Sequence, residues 1–265
     1  MRGIFAAGVL DAFLAEQYCP FDVCYGVSAG ATALAAYLSS QSGRTYTVIT
    51  DISCRPEFIS FGRFLRGGHW LDLDWLWPVS LQELPFDMAT FSANRVPLYI
   101  TTTRVSDGRA SYFLAKPECA MTIAKASCSV PLAYRGFVDI AGEAHTDGGV
   151  ADSIPVLEAY ARGARHLTVV LSQPWGYRKH PSRYPVLLRL LLRKTPALAQ
   201  AMLARHIAYN AALDFIASPP ADCTVELIAP PSHFAVGRLT RDKARLDAGY
   251  QMGLCAGEVA IRTSV

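Results

Sequence analysis

Short apolar runs rich in β-branched residues alternate along this chain with stretches whose apolar residues recur at helical spacing. That alternation limits the possible folds more than any other feature. Strand-like runs occupy 22–26, 98–104, 137–140, 166–172 and 223–229. The second of these, Leu98-Tyr-Ile-Thr-Thr-Thr-Arg104, has the strongest β character. Helical spacing covers 3–17, where Ile4, Phe5, Val9, Leu10, Phe13 and Leu14 share a face, and the small-residue stretch 28–38. It returns at 118–128, around 153–163, within 185–216 and around 241–260. Strands separated by helices imply parallel strands joined by helical crossovers, and a sheet covered on both faces. The expected architecture is a three-layer α/β/α domain with a mainly parallel central sheet. Residues 41–95, with Gly67-Gly68 and many aromatics, give no assignable pattern.

Composition narrows the function classes. A content of 51% hydrophobic and 18% charged residues excludes intrinsic disorder. A net charge of +3 leaves no general nucleic-acid footprint, so nucleic acid is not an expected partner. Cys19, Cys24, Cys54, Cys119, Cys128, Cys223 and Cys255 are odd in number, scattered and without a C-x-x-C pair. They suggest neither zinc nor a disulfide framework, but reduced thiols in a cytoplasmic protein. The first residues, Met1-Arg2-Gly3-Ile4-Phe5, lack a secretory pattern, and the apolar run 186–192 is broken by Arg189. No Walker loop is visible and no G-x-G-x-x-G follows a strand, so no cofactor and no metal are expected.

Two motifs carry chemistry. Gly26-Val27-Ser28-Ala29-Gly30 is a G-x-S-x-G between a strand-like and a helix-like segment. A sharp strand-to-helix turn needs small flanking residues and pushes the serine Oγ clear of the backbone, at a helix N-terminus whose partial positive charge favours an oxyanion. The same pattern also suits a plain serine N-cap. Thr146-Asp147-Gly148-Gly149 follows the 137–140 run. Asp-Gly-Gly is common in turns. If the 137–140 strand lay beside the 22–26 strand, however, Asp147 would reach Ser28 and could take its proton directly. An α/β-hydrolase triad does not fit, because that plan places several strands before the nucleophile.

With the opening Met1-Arg2-Gly3-Ile4, these motifs resemble, in order over residues 2–172, the patatin-like phospholipase family. The tail, including Gly237-Arg238-Leu239 and Tyr250-Gln-Met-Gly253, looks like that of a bacterial subgroup with a C-terminal extension. The resemblance implies a patatin-like core over 1–172 and an extension over 173–265 packed on the same domain. It makes Ser28 the nucleophile that forms an acyl-enzyme and Asp147 the base, with Gly148 and Gly149 completing the base motif. Gly26, Ala29 and Gly30 belong to the nucleophile elbow. Arg2 and Gly3 are what this sequence keeps of the family's glycine-rich oxyanion loop. The implied substrate is a lipid acyl ester, cleaved as by a phospholipase A or lysophospholipase; acyl transfer and a catalytically impaired lipid-binding or regulatory protein are the alternatives.

Two further stretches bear on partners. No acidic residue lies between Glu158 and Asp214, and Tyr184–Lys194 combines leucines with Arg189, Arg193 and Lys194. It reads either as a core helix with a solvated basic face or as a helix lying on an anionic membrane, which would make the protein peripheral. Asp72 and Asp74 within the Trp-rich 70–78 stretch read as part of a loop packed by its tryptophans.

The resemblance also implies that the biological protein begins upstream, with a first strand and the full glycine loop. A chain extended to include them is expected to hydrolyse esters about 100–1000-fold faster than the present one. Equal rates in the two chains would refute that expectation.

Overall fold

The computed structural model describes residues 1–264, with side chains through Thr263. The N-terminal helical spacing becomes α1 (Ile4–Ala15), whose Phe5, Val9 and Phe13 are wholly buried. β1 (Cys24–Val27) runs into α2 (Ala29–Leu38), where small residues let helix and strand close tightly. The stretch without a readable pattern holds α3 (Arg44–Thr47), a π-helical turn at Val48–Ile52, α4 (Phe61–Leu65), α5 (Leu73–Glu83) and α6 (Met88–Ala93). Three of these start on a side-chain cap: Ser60 Oγ accepts the Arg63 N–H, Asp72 the Trp75 N–H and Asp87 the Thr90 N–H. The Trp-rich stretch expected as a loop is therefore mostly helix from Leu73 onward. Trp77 is held there by its Nε1–H, which donates to the Met121 carbonyl at 3.2 Å.

β2 (Leu98–Arg104) and β3 (Ala110–Leu114) form a hairpin and lead to α7 (Ala120–Cys128), followed by the hairpin of β4 (Val138–Ile140) and β5 (Glu143–Asp147). After α8 (Val156–Ala161) come β6 (His166–Val170), α9 (Pro185–Leu191), α10 (Pro196–Ala217), β7 (Thr224–Ile228) and α11 (Lys243–Ser264). The main sheet has the order β1-β2-β5-β4, with β3 also on β2; β6 and β7 make a second, parallel pair. The α/β class holds, and the sheets are mixed. Within the larger one only β1–β2 is parallel, while β2–β3, β2–β5 and β5–β4 are antiparallel. The 137–140 run does not pair with 22–26, because β4 pairs with β5 while β1 pairs with β2. β5 escapes a hydrophobicity reading because Glu143-Ala-His-Thr-Asp147 is polar. It is buried by its hydrogen bonds rather than by apolar side chains.

Side-chain alternation on the strands sets the layers. Leu98 and Ile100 of β2 and Ile228 of β7 join one cluster with α1, α2 and α7, against which Val170 of β6 also packs. Val169 and Leu171 face the opposite way, toward Tyr209, Leu213 and Ile216 of α10 and Val156 of α8. Burying each large apolar side chain stabilises the fold by roughly 1.5–3 kcal/mol. The chain ends are locked together by α11 lying on α1. A Cβ on Gly253 would sit 2.1 Å from the Phe5 carbonyl oxygen, and one on Gly8 would sit 2.2 Å from that of Tyr250. Buried Asp11 adds a polar tie, accepting the Tyr250 hydroxyl at 2.8 Å and the Gly43 N–H at 3.1 Å. No helix among the described residues is long and apolar enough to cross a membrane.

Gly253→Ala should force the two helices apart and cost about 1–3 kcal/mol, lowering Tm by roughly 2–4 °C for each kcal/mol. Gly62→Ala in α4 meets nothing within 4 Å and should leave Tm unchanged or slightly raised. Thermal unfolding of the two variants checks the contrast.

Candidate active site

The chain leaves β1 at Val27 and enters α2 at Ala29, so Ser28 alone makes the reversal. It does so at φ 53° and ψ −127°, a conformation that costs a residue with a side chain on the order of 1–3 kcal/mol. The surroundings hold it there. The Ser28 N–H donates to Ser127 Oγ at 2.7 Å, and the Ser127 hydroxyl donates to the Thr101 carbonyl at 2.7 Å. The Ser28 carbonyl accepts the Ala31 N–H at 2.9 Å, starting α2. Gly26 is required for closure, since a Cβ there would lie 2.5 Å from the Ala31 Cα. At Gly30 nothing lies within 4 Å of such a Cβ, so packing does not demand the second glycine.

Strand register brings the carboxylate to this turn. Val27 pairs with Thr101 and Asp147 pairs with Thr102, so β1 and β5 follow one another along the same edge of β2 and bring Ser28 and Asp147 to one level of it. The Ser28 side chain lies near enough to the Asp147 carboxyl to act on its proton affinity. Asp147 Oδ1 also accepts the Gly149 N–H at 2.7 Å, and its carbonyl accepts the Thr103 hydroxyl at 2.8 Å. Both glycines have a steric reason. A Cβ on Gly148 would lie 2.1 Å from the Thr101 carbonyl oxygen, and one on Gly149 would press on Asp147 Oδ1 at 2.9 Å.

Burial raises the proton affinity of Asp147 above that of an ordinary carboxylate. It outweighs the opposing pull of Arg205, the Gly149 N–H, Ser28 and Arg238. Burial pushes the neighbouring Cys128 thiol up to about 12, so it stays protonated. His145, fully buried on β5, is taken up by Thr102, with Nδ1 at 2.9 Å from the Thr102 Oγ1.

The first turn of α1 abuts the first turn of α2, where a Cβ on Gly3 would lie 2.8 Å from the Ala29 Cβ. Gly3, Gly26, Ala29 and Gly30 thus lie next to Ser28, Arg2 precedes Gly3 in the chain, and β5 with the turn after it brings Asp147, Gly148 and Gly149 to the same level of β2. Arg189, Arg193 and Lys194 do not. Arg189 is on α9, and the other two are in the turn that follows it. That segment packs on the core only through Leu188 and buried Leu192, while Val186, Leu187, Leu190 and Leu191 stay exposed.

Asp72 and Asp74 serve the fold. Asp72 caps α5, and Asp74 pairs with Lys125 at 2.6 Å and accepts the Tyr134 hydroxyl at 2.9 Å. With His69 their ligand atoms lie within 4.8 Å of one another, but Lys125 already supplies a cation there. Residues the motifs did not reveal are Ser127 and Cys128, whose only signal was the run of small polar residues Ser127-Cys-Ser129. Lys179 and Arg205 belong to the acid-free stretch between Glu158 and Asp214, but nothing local marks them as neighbours of Asp147.

Residues 1–160 match the patatin-like phospholipase family, and residues 195–264 match a domain of unknown function, DUF6363. The uncharacterized protein YjjU of Escherichia coli (strain K12) is 32% identical over 267 residues, covering 99% of this chain and 74% of that protein. The mouse (Mus musculus) 1-acylglycerol-3-phosphate O-acyltransferase Pnpla3 is 30% identical over 151 residues, 51% of this chain and 33% of that protein. With its first 160 residues matched by that family, the chain belongs to the patatin-like phospholipase family.

Proposed function

We propose that this protein is a serine acyl hydrolase that cleaves lipid acyl esters, of phospholipase A or lysophospholipase type, through Ser28 and Asp147. Family membership supports lipid hydrolase or acyltransferase activity in general. The observation that supports the finer reading is a serine held in a strained strand-to-helix turn beside a buried carboxylate of raised basicity.

In this mechanism Asp147 takes the Ser28 Oγ proton as Oγ bonds to the acyl carbon, and the carbonyl π electrons move onto oxygen. The resulting oxyanion lies at the N-terminus of α2, whose dipole favours negative charge, with Arg2 and Gly3 beside it. Collapse breaks the bond to the alcohol, which leaves with the proton from Asp147, and the acyl group stays on Ser28. Asp147 then deprotonates water, which attacks the acyl carbon and releases the fatty acid and the serine. Acyl transfer, the activity named for the mouse relative, differs only in that a lipid hydroxyl replaces water in the second half.

The reading also includes a membrane contact. Val186, Leu187, Leu190 and Leu191 of α9 all face solvent, Val186 at 75% exposure, among Arg183, Arg189, Arg193 and Lys194. A basic, leucine-rich exposed helix suits an anionic bilayer surface.

A fluorophosphonate probe should label the wild-type protein and not Ser28→Ala; absence of labelling in the wild type would favour a non-catalytic lipid-binding protein. Asp147→Asn should lower turnover at least ~100-fold. Because Asp147 must be deprotonated to act and its proton affinity is raised, hydrolysis should fall on acidification while the pH is still above the usual carboxylate range. That acid limb should be absent from the residual rate of Asp147→Asn. Co-sedimentation with anionic liposomes should weaken when Arg189, Arg193 and Lys194 are changed to Glu; unchanged binding would remove α9 from the account.

A further inference from the structure

Four cations from four separate segments converge beside the Ser28–Asp147 pair. Arg2 precedes α1, Lys179 lies in the loop before α9, Arg205 is on α10, and Arg238 is in the loop before α11. Lys179, Arg205 and Arg238 line one cleft of about 230 Å3, together with Tyr177, Ser182 and His206. Arg2 acts on the same charges, since its field and those of Arg205 and Arg238 all bear on Lys179.

None of the four is in an ion pair among the described residues. Arg205 Nε donates to the Gly149 carbonyl at 2.5 Å, and Lys179 Nζ to Ser153 Oγ at 3.0 Å while lying 3.9 Å from the centre of the Tyr209 ring. Neutral oxygens and one π face are all that receive these cations directly; Asp147 supplies the counter-charge felt by Arg205 and Lys179. Burial and the three guanidinium groups together push the Lys179 ammonium down to about 6. So dense a gathering of half-buried positive charge destabilises the fold unless an anion enters it.

We propose that Arg2, Lys179, Arg205 and Arg238 form a binding site for a phosphate dianion next to the nucleophile. Two charges on one tetrahedral group meet several cations at once, and guanidinium forks match paired phosphate oxygens. The cleft is smaller than the ~300–1,000 Å3 of pockets that enclose whole drug-sized ligands, so it suits a phosphate with its glyceryl unit and leaves the acyl chain outside. The inference rests on the acyl-hydrolase reading for what carries the phosphate. On that reading the preferred ester bears a terminal phosphomonoester; the same chemistry would also hold free phosphate.

The test begins with binding, which is independent of catalysis. Inorganic phosphate titrated calorimetrically into the full chain should bind, and Lys179→Gln and Arg238→Gln should each weaken it at least ~10-fold. Phosphate should also raise Tm of the wild type. Arg238→Gln should not lower Tm, because it removes repulsion, and Lys179→Gln should leave it nearly unchanged, because that amine is largely uncharged at neutral pH while the site is empty; this separates loss of the site from loss of the fold. The source of the phosphate is then read from hydrolysis of a 1-acylglycerol-3-phosphate and of the monoacylglycerol with the same chain.

A kcat/KM at least ~10-fold higher for the phosphorylated ester, lost in the two variants mainly through KM, assigns the site to a lipid headgroup. Phosphate binding without that preference keeps the site and assigns it to free phosphate. The proposal is overturned if phosphate does not bind, if both variants bind it as the wild type does, or if acetate binds equally well. Should Ser28 prove unreactive to fluorophosphonate, the calorimetric result still stands, so failure of the catalytic reading is told apart from failure of this one.

Discussion

The backbone of Ser28 is where the structure concentrates its constraints. An L-residue holds that conformation only when neighbours on both sides leave no alternative, and here they come from three elements. Ser127 at the end of α7 takes the Ser28 N–H and passes a hydrogen bond on to Thr101 of β2. Gly26 and Ala31 allow β1 and α2 to close, and Gly148 rests its Cα against the Thr101 carbonyl. Each neutral hydrogen bond of this kind contributes about 1 kcal/mol net, but leaving its buried groups unpaired costs more. The turn, the helix dipole and the base are therefore coupled through a single strand, β2, whose Thr101, Thr102 and Thr103 are all buried.

Electrostatics at the site are a contest between burial and charge. Desolvation raises the proton affinity of Asp147, while Arg205 and Arg238 restrain that rise. The same cations repel one another and Lys179, so what moderates the base also destabilises its surroundings. A site in this condition is poised for negative charge from a ligand or a transition state.

The segment matched to the domain of unknown function takes part in this directly. Residues 195–264 include Arg205 and Arg238 as well as α11, which closes against α1 through Gly253 and Gly8. The loop carrying Lys179 continues through Ser182 and Arg183 to the exposed leucines of α9, so the cationic cleft and the apolar surface adjoin along the chain.

Much of the secondary structure was legible because its driving forces are local. The helical spacing of 3–17 returned as α1 and the β-branched 98–104 as β2. The caps Ser60, Asp72 and Asp87 were present but stood among aromatics that blurred any period. β5 was invisible because its polar residues are buried by pairing with β2, a non-local event. The residues expected to be nucleophile and base were named from short motifs whose glycines answer local steric demands.

That Ser28 and Asp147 share one level of β2 follows from strand register, which the expected neighbour pairing placed differently. The convergence of Arg2, Lys179, Arg205 and Arg238 has no sequence signature at all. By itself, then, the sequence determined the α/β class, most elements and the two motif residues, since periodicity and turn sterics act over a few positions. Strand order, the approach of α7 to the elbow and the cation cluster were decided only in tertiary structure, because they depend on which distant surfaces pack together.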